Sequence, residues 1–149
     1  MSANIARLLE ASARRWPDKT VLVQDGQALN FKTLDRRAGA VARDLAANGV
    51  ARGDRIAVLI SDRLSFVTAL LGGLKVGAAV APLNERLTGS ELDKIVADLE
   101  PAQVLKETDR SEDDFVSVET ASEDPAIILY TSGSTGAAKG ALLSHRAMD

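Results

Sequence analysis

The sequence predicts an α/β fold, with a parallel or mixed sheet flanked by helices. Three observations carry this expectation. The run IAVLI, Ile56 to Ile60, is apolar at every position, as a strand buried on both faces requires. An apolar stretch, Leu64 to Val76, reads as a crossover helix and leads to a second apolar run, Ala78 to Ala81, completing a βαβ unit. Upstream, Leu34, Ala38, Val41 and Leu45 recur at helical spacing and mark an amphipathic helix.

Taken in order, Ile5 to Trp16 carries apolar residues at helical spacing, and Pro17 stops it. Val21–Val23 and Ala28–Phe31 flank Asp25-Gly26, a turn dipeptide that predicts a hairpin. The helix that follows ends at Asn48-Gly49, and Gly53-Asp54 turns the chain into the strand Arg55 to Ile60. Gly72 and Gly73 stand inside the crossover helix, at a cost of ~1 kcal/mol each relative to alanine. Close helix–sheet packing is the expected reason.

Thr88-x-x-Glu91 is a capping box, and Leu92, Ile95, Val96 and Leu99 continue one helical face as far as Pro101. Gln103 to Leu105 reads as a short strand. Residues 107–124 hold eight acidic side chains and one basic one, the composition of a solvated connector. Carboxylates without fixed spacing there make a metal site the weaker reading, and no metal ligand is assigned.

Ala126 to Tyr130 is a short apolar run, Ala141 to Leu143 another, and both read as buried strands. The ten residues between them are only Gly, Ser, Thr, Ala and Lys. Glycines let a backbone approach a ligand closely, hydroxyls donate hydrogen bonds, and successive N–H groups form an anion-binding concavity. The loop therefore reads as a phosphate cradle. It is not a P-loop, because Lys139 precedes Gly140 rather than Ser or Thr, and G-x-G-x-x-G is absent.

Residues Tyr130 to Gly140 instead resemble the YTSGSTG-x-PKG signature of the adenylate-forming (AMP-binding) superfamily of acyl-CoA synthetases, adenylation domains and luciferases. They match at every fixed position but one, where Ala138 replaces proline. The strings GDRIAVLI, ALLGGLKVGAAVAPLN and LTGSEL are similar to the segments that precede the loop in acyl-CoA synthetases. The resemblance implies a partial N-terminal AMP-binding domain over residues 1–149, with the connector at 107–124, the phosphate loop at 130–140 and the C-terminal domain absent.

It also implies the chemistry of an acid–thiol ligase: ATP with Mg2+ activates a carboxylic acid substrate to an acyl-adenylate, which passes to a thiol such as coenzyme A. Thr131, Ser132, Ser134 and Thr135 would donate to phosphate oxygens, Gly133, Gly136 and Gly140 would admit the backbone, and Lys139 would supply the charge. Proline's fixed φ is missing at Ala138, so the loop is expected to be less pre-organised. No catalytic residue is assigned within the chain, which alone is expected to be inactive. His145 is open to two readings, orienting a substrate or packing in a first helical turn capped by Ser144, and the second is preferred. Tyr130 reads as a core ring with a satisfied hydroxyl.

Composition narrows the alternatives. Apolar residues are 46%, charged residues 26% and aromatics 3%, so a core of small aliphatic side chains is expected. A net charge of −3 opposes nucleic-acid binding, which relies on clustered Lys and Arg. No cysteine is present, which suggests the cytoplasm. Lys75, Gly77 and Pro82 interrupt the most apolar region, so no membrane span is expected. The competing reading is a non-catalytic nucleotide- or anion-binding module, or a fragment that self-associates through open strand edges.

Overall fold

A computed structural model describes residues 3–131 and 136–149. The helix α1 (Ala6–Arg15) precedes a hairpin of β1 (Thr20–Gln24) and β2 (Gln27–Asn30), and α2 (Phe31–Ala47) follows. Then come β3 (Arg55–Val58), α3 (Arg63–Lys75), β4 (Ala79–Pro82), α4 (Gly89–Leu99) and β5 (Gln103–Leu105). The last elements are β6 (Pro125–Tyr130), β7 (Gly140–Ser144) and a 3-10 turn, His145–Met148.

Five strands form one sheet in the order β5-β3-β4-β6-β7, parallel except for the antiparallel β6–β7 pair. The mixed α/β sheet expected from the apolar runs is thus present. Period-2 alternation divides the core between its two faces. Ile56, Val58, Val80 and Ile127 face α2 and α3, whereas Ala57, Ala79, Ala81 and Ile128 pack with Ile95 and Leu99 of α4.

Local signals act as read. Asp25 and Gly26 both have positive φ (49° and 77°), the backbone of the two-residue turn that matches hairpin twist. The Thr88 hydroxyl accepts from the Glu91 N–H while the Glu91 carboxylate accepts from the Thr88 N–H, closing the capping box. One boundary moves: Phe31 opens α2 rather than closing β2, because the Asn30 side chain accepts from the Thr33 N–H at 2.8 Å and caps the helix. The strand β3 stops at Val58 rather than running to Ile60, although the Val58 carbonyl still accepts from the Leu83 N–H at 2.8 Å.

The two glycines of α3 serve different neighbours. A Cβ at Gly73 would lie 2.6 Å from Ile56 Cδ1 and 2.7 Å from Val80 Cγ2, so this glycine does bring the helix onto the sheet. Gly72 faces α2 instead, where a Cβ would meet Val41 Cγ1 at 2.5 Å.

The acidic connector departs from expectation. Its carboxylates are largely exposed, and Arg36 pairs with Glu112 and Asp114, Arg43 with Asp113, and Arg52 with Asp124. Its middle, however, is packed: Ser117 and Thr120 are buried, and Phe115 lies against the main core. The Glu10 carboxylate explains this, because it accepts from both the N–H (2.8 Å) and the hydroxyl (2.6 Å) of Ser117. The strand β7 is the other departure. Only β6 is a buried strand; β7 is a sheet edge, with Leu142 63% exposed.

Candidate functional site

The loop between β6 and β7 stands where the sheet changes direction. From β4 the chain returns across β3 to β5 by way of α4, whereas β6, on β4's other side, passes outward to β7. The carboxyl ends of β4 and β6 therefore diverge, and in open α/β sheets ligands bind in the crevice at such a switch point. Here that crevice is a cavity of about 330 Å³. Leu83 and Asn84 line it from the end of β4, Glu91, Lys94 and Ile95 from α4, and Tyr130, Thr131 and Gly136 to Ala138 from the loop.

Each wall has a local cause. Ala126, Ile127 and Ile128 are buried and fix β6, so Thr131 emerges at the sheet's carboxyl edge, exposed. Tyr130 donates its hydroxyl to Asp98 Oδ2 at 2.7 Å, tying the start of the loop to α4. Partial burial of the ring and the hydrogen bond and charge of Asp98 push this phenol up to about 12, so it stays protonated. Gly140 makes room for the ring: a Cβ there would lie 3.1 Å from Tyr130 Cζ. At the loop's far end Gly136 has φ +75°, a conformation glycine adopts without strain. Ala138, half-buried, packs against the α4 face of the core.

Of the residues assigned from the sequence, Thr131, Gly136, Lys139 and Gly140 are placed at this loop, with Thr131 and Gly136 on the cavity wall. Lys139 is exposed beside it. Ser132, Gly133, Ser134 and Thr135 lie outside the described residues. Gly140 takes a place against Tyr130 rather than on the cavity wall.

His145 is not on that wall. It is buried, its Nδ1 accepts from the Ile5 N–H at 3.1 Å, and its own N–H donates to the Asp124 carbonyl. Burial lowers its pKa, Asp124 opposes this and Arg52 reinforces it, leaving a neutral ring. Ser144 caps the turn, accepting from the Ala147 N–H.

Sequence reasoning missed Asn84, Lys94 and Asp98. The last two are four residues apart, a spacing that puts them on one helical face, but only the fold shows that this face meets the loop. Among the described residues, no group of three or more His, Asp or Glu could hold a metal ion. Glu91, the one carboxylate on the cavity wall among the described residues, accepts from Thr88.

Comparison with known proteins bears on the family. Residues 9–118 and 99–148 match the family model described as AMP-binding enzyme. Feruloyl-CoA synthase from Amycolatopsis sp is 33% identical over 155 residues, covering 89% of this chain and 32% of that protein. Surfactin synthase subunit 3 from Bacillus subtilis is 31% identical, over 87% of this chain and 12% of its own length. Among solved structures, ATP-bound MatB from Rhodopseudomonas palustris superposes with a TM-score of 0.86 at 28% identity, over 97% of this chain and 35% of its own. The chain thus spans about a third or less of these relatives. With the family model covering nearly all of it and the signature loop at the switch point, the chain belongs to the AMP-binding enzyme family.

Proposed function

We propose that this chain is the N-terminal, polyphosphate-binding portion of an AMP-forming acyl-CoA synthetase or ligase. The observation that carries this reading is the glycine-, hydroxyl- and lysine-bearing loop at the crevice between β4 and β6. In the proposed reaction a carboxylate oxygen attacks the α-phosphorus of ATP. The bond from the α-phosphorus to the α,β-bridging oxygen breaks, pyrophosphate leaves with the electron pair, and an acyl-adenylate remains. A thiol then takes the acyl group and AMP departs.

The chain's own part is electrostatic. Negative charge accumulates on the leaving pyrophosphate, and donors fixed in advance lower the barrier by stabilising it there. In this reading Thr131, Ser132, Ser134 and Thr135 donate to phosphate oxygens, and Gly133, Gly136 and Gly140 keep the loop slim and turned. Lys139 supplies the cation, and Mg2+ arrives as the nucleotide's counterion. His145 serves by packing rather than by touching substrate, since its Nδ1 is occupied by Ile5. The thiol is coenzyme A or a carrier's phosphopantetheine, and the absence of cysteine favours a reducing cytoplasmic setting.

Calorimetric titration of Mg-ATP into the chain and into Lys139→Ala tests this. Binding that the substitution weakens about tenfold or more, the worth of a hydrogen bond to a charged group, supports the cradle. Equal affinity in both removes Lys139 from it. ATP–pyrophosphate exchange by the chain alone should be absent, because in this reading the chain is only one portion of the enzyme.

A second reading has its own observation. The outer edge of β7 carries no charge from Gly140 to Ser144 and exposes Leu142, and such edges invite pairing with another copy. Concentration-dependent association that Leu142→Lys abolishes would favour it.

A further inference from the structure

On the reading that the crevice holds a polyphosphate, we propose that Lys94 of α4 is a second cationic contact for that anion, facing the loop from across the cavity. Lys94 is the one cation among the described residues that line this cavity. It is exposed, and it has no ion pair within 4.0 Å among the described residues, although Glu91 and Asp98 stand one turn away on either side.

Both carboxylates are held by hydrogen bonds to other groups and form no direct ion pair with Lys94, although Glu91 still senses its charge. Glu91 accepts from the Thr88 N–H at 2.8 Å and the Thr88 hydroxyl at 3.0 Å, closing the cap of α4. Asp98 accepts the Tyr130 hydroxyl, which also fixes the distance between α4 and the start of the loop. The Lys94 ammonium is left with three donors beside a void bordered by Thr131 and Gly136. Asn84 adds to the same wall: its Oδ1 accepts from the Arg86 N–H, so its amide nitrogen remains a donor. A void edged by a cation without a direct ion pair, an amide donor and a glycine-bearing backbone suits an oxyanion chain.

The test titrates the chain with Mg-ATP and, separately, with inorganic tripolyphosphate, comparing wild type, Lys94→Ala, Lys94→Arg and Lys139→Ala. Tripolyphosphate lacks the nucleoside, so it reports on the phosphate contacts alone. Lys94→Ala should raise Kd about fivefold for both ligands, the upper range for a solvent-exposed charge contact. It should lower the salt dependence of binding and leave thermal unfolding unchanged, and Lys94→Arg should restore affinity. Wild-type affinity in Lys94→Ala together with loss in Lys139→Ala would overturn the role of Lys94 while the cradle stands. No binding of either ligand by wild type would overturn both.

Discussion

The ammonium of Lys75 lies 2.8 Å from Glu10 Oε1, with the lysine side chain only 1% exposed, so a charge from α3 is neutralised by α1 inside the protein. Asp35 of α2 stands 2.9 Å away as an ion-pair contact, and the Phe115 carbonyl accepts a further hydrogen bond. Burial pushes Glu10 up, but hydrogen bonds from Lys75 and Ser117 outweigh it and hold the carboxyl below its ordinary value. One charged cluster thereby joins three helices to the connector.

Removing one partner of a buried pair leaves the other uncompensated. Lys75→Met should therefore destabilise the fold by about 3 kcal/mol, read from urea unfolding. Glu10→Gln combined with it should restore part of the loss, since the amide oxygen can still accept from Ser117. A double variant no better than the single would show that packing, not charge, holds α1.

The sequence contains one tyrosine, so its ionisation can be followed alone by ultraviolet absorbance. Asp98→Ala should lower the Tyr130 midpoint from about 12 toward the ordinary 10.0, because it removes both the acceptor and the nearby charge. Stability should fall by only ~1 kcal/mol, the net worth of one hydrogen bond. An unmoved midpoint would mean that the loop's first residue is not tied to α4.

His145 makes the fold sensitive to mild acid. Its folded pKa is depressed below the ordinary histidine value of 6.5, so its contribution to stability is complete above that value and declines as pH falls toward the folded one. Protonation also turns Nδ1 into a donor facing the Ile5 N–H. Unfolding free energy should begin to drop as pH falls below 6.5, and His145→Gln should flatten that slope. A slope unchanged in the variant would assign it to other groups.

What could be read from the sequence was local or periodic. The Thr88–Glu91 cap spans four positions, the Asp25-Gly26 turn two, and the apolar runs announce buried strands because both faces are covered. The phosphate loop was visible because its requirements are compositional. The departures depend on partners far along the chain. Ser117 is drawn inward by Glu10, 107 positions away, and nothing near residue 117 encodes that. Likewise Lys94 and Asp98 look like ordinary surface charges until β6 is set beside β4. Strand β7 looks buried on composition, yet its outer edge has no neighbour among the described residues.

The bond from the Ile5 amide to the His145 ring links positions 140 apart. During synthesis, α1 emerges from the ribosome long before that acceptor exists, as Glu10 also does before Ser117. The apolar face of the helix can pack on α2 and α3 as they form, but these two bonds close only once the connector and β7 have been made. Because residues 5 and 145 meet, a short peptide joining these ends, with new ends opened at the exposed Gly26 turn, should leave a chain that reaches the same fold without that wait.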